Sequence, residues 1–330
     1  FFYLGDTHWT MLKEEIDSPG SNASDTGAES HFKYIVDARV EQGFTVYQSE
    51  PIDNRYNLAN GFDKNDIRGF QKVDEYFAYI AQKGLVHANA QLFFTEELCT
   101  NYSKYSVEYL RQLTRYWVAR YSAYPVMWTT AQEADDDFFA GSVHSAFIKA
   151  NNPWKVVTSA LHEFDPYSHP LSCHTEAGVT AANSEFINIP GYNWVAAQTY
   201  VKRLWPQDFT SAKLNYYSCN YPVVLYEGNY ENLWTTEFGA RVQGWAAYLN
   251  GMCGYGYGVG DIWYYKSSYD MTEDTVREET ITVEEKNVVW GDMIHNANSV
   301  KLGYIKKFLQ QFEWWRLTPC FDEEKCFVIN

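Results

Sequence analysis

The chain has 330 residues, 46% of them hydrophobic and 21% charged, so it can build a full core and is not an extended disordered segment. Its net charge of −16 argues against nucleic acid or an anionic membrane surface as a partner, because both recruit Lys/Arg patches. No run of 18 apolar residues offers a membrane span.

In chain order, residues 2–5 read as a first strand, followed by a long polar stretch at 16–29. A helix ending near Gly43 leads to a strand at 45–49. Residues 67–83 form an amphipathic helix with Phe70, Val73, Phe77 and Ile80 on one stripe, Asp66 as N-cap and Gly84 as its stop. A strand at 85–90 follows. Helix 106–121, with Val107, Leu110, Leu113, Trp117 and Tyr121 on one face, feeds a strand at 125–130. Helix 153–164 precedes a short strand at 170–173, a sixth strand lies at 193–198, and a helix at 212–219 precedes strand 223–226. Phe238, Val242, Trp245 and Leu249 mark another helix, which Gly251 stops. The eighth strand lies within 255–265, where alternating Gly254, Gly256 and Gly258 predict small residues under a crowded cleft. A second polar stretch at 267–285 and a final helix at 299–312, with Leu302, Ile305, Leu309 and Phe312 inward, complete the chain.

Eight strands alternating with helices predict an α/β fold, a single (β/α)8 barrel spanning residues 1–330. An open doubly wound sheet would carry a Gly-rich phosphate turn after its first strand, and neither GxGxxG nor GxxxxGK[ST] stands there. The chain begins on a strand-like run without Met or signal peptide, and so reads as a trimmed or processed domain. Cys99, Cys173, Cys219, Cys253, Cys320 and Cys326 form no CxxC pair, which leaves the redox compartment open. The sequons at Asn22 and Asn101 carry little weight by themselves.

Reading the end of each predicted strand gives one rim. It comprises Asp6, His8 and Trp9, then Gln48 and Glu50, Asn89 and Gln91, Trp128, Gln132 and Glu133, His174, Gln198 and Tyr200, Glu227, and Asp261 and Trp263. The rim is rich in amides, carboxylates and aromatic rings and holds no Lys or Arg. Amides and carboxylates bind hydroxyls in pairs, whereas phosphate ligands call for cations, so the expected ligand is a neutral polyol, most simply a sugar. Glu133 and Glu227 follow the fourth and seventh strands, and two carboxylates facing one cleft are the minimum equipment for glycosidic hydrolysis. The chain has 12 Trp, 27 Tyr and 20 Phe, and Trp9, Trp128 and Trp263 are the expected aromatic wall for a sugar ring. Gln48 and Gln198 have an alternative as strand caps, His8 and His174 as structural histidines, and Asp6 as a loop anchor.

Several segments resemble one family. Gly5-Asp6-Thr7-His8-Trp9 is similar to the Gly-Asp-Thr-x-Trp opening of apiosidase-like glycoside hydrolases, and residues 43–48 resemble their GFNxxQ second strand. Residues 124–133 are similar to their fourth strand and residues 222–227 to their seventh. Arg241, Trp245, Gly251, Tyr257, Gly258, Ile262 and Trp263 resemble their closing segment. The resemblance implies a retaining hydrolase of a plant or microbial glycan or oligosaccharide, with Glu133 as acid/base, Glu227 as nucleophile and Trp263 flooring the subsite beside the cleaved bond. It departs at Gln132-Glu133, where the family often has Gly then Asp. The assignment requires Glu133 protonated and Glu227 ionised near neutrality, the charge of Glu227 raising Glu133. No metal or organic cofactor is expected, and the partner is a carbohydrate substrate in an extracellular or periplasmic setting. Two alternatives stay open: a non-catalytic carbohydrate-binding barrel, and a metal-dependent hydrolase using Asp6, His8, His174 and Asp261.

Overall fold

Eight parallel strands wrap into a nearly closed barrel: β1 Tyr3–Thr7, β2 Val46–Ser49, β3 Val86–Asn89, β4 Val126–Thr129, β5 Leu171–Ser172, β6 Val195–Gln198, β7 Val223–Glu227 and β8 Gly254–Tyr257. The computed structural model describes residues 1–9, 30–50, 64–89, 98, 105–133, 152–176, 184–198, 216–260, 262 and 290–320. The sheet order is β5-β4-β3-β2-β1-β8-β7-β6, and parallel bridges from Leu171 to Tyr192 and from His174 to Ala196 join β5 to β6. This is the predicted (β/α)8 barrel. Among the described residues no helix is long and apolar enough to cross a membrane.

The long helices among the described residues are α1 His31–Glu41, α2 Lys64–Gln82, α3 Val107–Tyr121, α4 Pro153–Phe164, α5 Glu237–Leu249 and α6 Ala297–Leu309. Ser30, Ser106, Asn152, Thr236 and Asn296 cap five of them by accepting a hydrogen bond from a first-turn backbone N–H. α2 begins at Lys64, ahead of the expected cap at Asp66. Phe312, expected inward, and Val107 and Leu249, read as part of their helices' apolar pattern, are more than half exposed: each sits at or beyond a helix end.

Two cores result from strand alternation. The outer one, between sheet and helices, holds Leu4, Tyr47, Val126, Trp128, Val223 and Leu225 among others. The inner one fills the barrel with Tyr3, Val46, Ala88, Met127, Ala196, Val224 and Tyr226, roofed by Trp9 and Tyr230. β1 and β8 carry Gly5 and Gly256 inward, and a Cβ on either would overlap the amide of Gln48.

The outer layer also holds an ion pair. Asp6 accepts from the Arg39 guanidinium of α1 and lies 2.8 Å from His8 Nε2, all three side chains being buried. Arg39 Nη1 also donates to the Ile294 carbonyl at 2.9 Å and to Gln42 Oε1 at 2.6 Å. Burial would raise the Asp6 carboxyl, but Arg39 and His8 hold it below its ordinary value.

Candidate active site

Glu227 is the last residue of β7, and its direction comes from an irregularity in that strand. Ala197 of β6 pairs with Leu225, while the next residue, Gln198, pairs with Glu227, so β7 carries one extra residue there. Strict alternation would send Glu227 outward with Val223 and Leu225. The bulge re-aims it toward the mouth, above the inward-facing Tyr226. Glu227 is buried, 3.6 Å from His174 Nε2 through its Oε2 atom, and is hydrogen-bonded by Tyr230 and Gln132.

Glu133 reaches the same place by a different route. The β4–β5 ladder continues beyond β4 through Thr130 N–H to Ser172 O (3.0 Å), His174 N–H to Ala131 O (3.0 Å) and Glu133 N–H to His174 O (3.1 Å). Glu133 is thereby held half-buried with φ at +50°, a left-handed conformation that costs a non-glycine residue about 1–2 kcal/mol. Its charge acts directly on Glu227, as does that of the buried Glu50, whose N–H donates to the Trp9 carbonyl at 3.1 Å.

Burial foremost, then the negative charge of Glu133, pushes Glu227 well above the ordinary carboxyl range; Tyr230 and Gln132 act in the opposite direction. This differs from the expected order, in which Glu133 alone would be raised. The physical reason is solvent: Glu227 is buried beside His174, Tyr230 and Gln132, and loss of hydration is the largest influence on its carboxyl. His174 is fully buried against Trp9 and Tyr226, and burial lowers its pKa to about 3, so its ring is neutral at working pH.

The loop after β7 is pinned. Asn229 N–H donates to Gln243 Oε1 at 2.7 Å, and Gln243 Nε2 returns to the Asn229 carbonyl at 3.2 Å. Glu231 accepts from Tyr257 Oη and Asn298 Nδ2, both at 2.6 Å, and from Asn296 Nδ2 at 3.2 Å. Tyr230 between them receives the Trp9 indole N–H at 2.6 Å. An indole nitrogen only donates, so the phenol oxygen is the acceptor there and its proton is free for the Glu227 carboxylate. Sequence reasoning missed Tyr230; the available signal was its place three residues past Glu227 in a rim loop.

Of the expected rim, the fold brings together Glu133, Glu227, Gln132, His174 and Gln198, the last paired in register with Glu227. Six expectations need correction as sugar contacts. Asp6 and His8 face the outer layer, where Asp6 binds both Arg39 and His8. Trp128 also faces outward, its indole N–H donating to Asp165 Oδ2 at 2.9 Å, because it shares the outward phase of β4 with Val126. Asn89 pairs in register with Ser49 and Trp128, in the same outward row. Gln48 is wholly buried inside the barrel with both amide atoms engaged. Trp9 is at the site but only 1% exposed, packed against His174 and Tyr226, so it does not present an open ring face to a sugar. Gln91, Tyr200, Asp261 and Trp263 lie outside the described residues, as do both long polar stretches. Among the described residues, no group of His, Cys, Asp and Glu is arranged to hold a metal ion.

A (β/α)8 barrel with one glutamate just past β4 and another at the end of β7 has the equipment of a glycosidase. The sequence matches the profile of the apiosidase-like catalytic domain over residues 1–316, and the chain belongs to that family of glycoside hydrolases. No protein of curated function matches it. Among solved structures, it is similar to a glycoside hydrolase at 15% identity and TM-score 0.67, covering 96% of this chain and 72% of that one. A family 5 glycoside hydrolase from Bacteroides vulgatus aligns at 13% identity and TM-score 0.68, covering 96% and 69%. The endo-1,4-β-D-mannanase of Thermotoga petrophila aligns at 12% and TM-score 0.54, covering 78% and 88%. At these identities the likeness is one of fold.

Proposed function

We propose that the chain is a retaining glycosidase acting on a plant or microbial glycan or oligosaccharide, with Glu227 as nucleophile and Glu133 as acid/base. The observation that carries this reading is that the continued β4–β5 ladder and the β7 bulge bring Glu133 and Glu227 to the same C-terminal mouth of the barrel, near enough for the charge of Glu133 to raise Glu227. In the first step the Glu227 carboxylate bonds to the anomeric carbon while Glu133 passes its proton to the departing oxygen. In the second, Glu133 takes a proton from water, the water oxygen bonds to the anomeric carbon, and Glu227 leaves as carboxylate. The pair must hold one proton, on Glu133. Tyr230 and Gln132 support that arrangement because their hydrogen bonds favour the ionised form of Glu227. Gln132 and Gln198 are proposed to line the subsite and His174 to back Glu227 there, with Gln91 and Tyr200 carried by their places at predicted strand ends and Trp263 also by the family resemblance, and an extracellular or periplasmic location suits a glycan substrate.

Screening aryl glycosides and recording proton NMR of the first product tests the stereochemistry. The product should keep the anomeric configuration of the substrate; an inverted first product overturns the double displacement. A second expectation concerns pH. Glu227 must be ionised in the free enzyme, so kcat/KM falls as pH drops through its pKa. Tyr230→Phe deletes a bond to the ionised form, leaves Glu227 higher still, and moves the acid limb of kcat/KM upward by about 1 pH unit. A limb that stays in place in a folded variant removes Tyr230 from this role.

A further inference from the structure

We propose that Gln48 is a positioning residue for Glu227, holding the inward-turned Tyr226 carbonyl at the β7 bulge and thereby setting the direction of the next side chain. Gln48 Nε2 donates to the Tyr226 carbonyl at 2.9 Å, and Gln48 Oε1 accepts from Tyr3 Oη at 3.1 Å. Only the amide nitrogen can bond a carbonyl, so the orientation of the amide follows from its partners. The bulge turns this carbonyl toward a buried interior, where leaving it unbonded would be costly. The barrel makes room for the amide by placing Gly5 on β1 and Gly256 on β8; a Cβ at either would strike Gln48, and one at position 256 would also strike the Tyr226 carbonyl. One side chain from β2 thus ties together β1, β7 and the strand irregularity that brings Glu227 into the mouth. The inference rests on the reading of Glu227 as the reacting carboxyl.

The test uses the full chain, with the aryl glycoside of highest turnover as probe. Gln48→Met keeps volume and removes the donor. Because a misplacement of about 1 Å costs roughly 100-fold in rate, kcat should fall by about that factor while KM changes far less. Gln48→Glu supplies the conservative comparison. Its protonated carboxyl can donate to the Tyr226 carbonyl and its ionised form cannot, so its kcat relative to wild type should recover toward acid pH, a trend absent from Gln48→Met. A folded Gln48→Met with wild-type kcat overturns the proposal. Should that variant fail to fold, a Gln48→Glu profile parallel to wild type at every pH overturns it instead. The 13C shift of a labelled Tyr226 carbonyl should move in Gln48→Met whatever the reaction is. A moved shift together with full turnover in Glu227→Gln would overturn the proposed function and leave the hydrogen bond standing.

Discussion

Glu227→Gln is expected to lower kcat by about 10,000-fold or more, the scale seen when a covalent nucleophile is removed. The amide preserves shape and hydrogen bonding but cannot form the glycosyl ester. The same substitution should raise thermal stability at neutral pH. Glu227 is held above its ordinary value by burial and by Glu133. Between the unfolded and folded pKa the native chain therefore binds more protons than the unfolded one, and its stability declines as pH rises through that interval. Gln does not titrate, so the variant's Tm should exceed that of wild type at pH 7, with the gap closing below about pH 4, where unfolded glutamate is protonated too. Turnover assays and thermal melts at both pH values check the two halves separately. Wild-type turnover would remove Glu227 from the chemistry, and equal Tm at pH 7 would mean that its carboxyl is not held high.

The largest effect on stability is expected at Arg39, far from the glutamates in function though joined to them through β1. Arg39→Met leaves Asp6 buried beside His8 without its guanidinium and leaves the Ile294 carbonyl without its Arg39 donor. Breaking a buried pair by removing one partner costs about 3–5 kcal/mol, most of it the penalty of the stranded charge. Asp6 is depressed in the folded state, so the wild-type advantage is present above the unfolded aspartate pKa and is lost as pH falls through the lower, folded value. Urea midpoints at pH 7 should show the full difference, and midpoints in strong acid a smaller one. A loss under 1 kcal/mol at pH 7 would mean that Asp6 takes up a proton or finds solvent.

The barrel was legible because each element carries its own signal. Phe70, Val73, Phe77 and Ile80 recur at helical spacing along α2, and the short apolar runs ahead of Glu133 and Glu227 have the length and composition of buried parallel strands. Both glutamates follow such runs, so their place at the mouth could be read from local pattern alone. The eighth strand was found from its alternating glycines, although it ends at Tyr257, well short of Asp261. Trp128 misled for a physical reason: a residue at the end of a buried strand can face the lumen or the helices, and both faces are apolar, so composition does not reveal the phase.

The sequence by itself determined the class of fold, the order of its strands and the residue type and chain position of the two carboxyls, since these follow from periodicity, caps and turn residues within short windows. Only the tertiary structure decided which way each side chain faces. Strand phase depends on pairing with neighbours remote in sequence, and one extra residue in β7, opposite Gln198 and held by Gln48 across the lumen, reverses the alternation that would have sent Glu227 outward. Asp6 and Gln48 were expected to meet the sugar for the same reason: their partners Arg39, Tyr3 and Tyr226 come from other strands and helices, and no local window contains them.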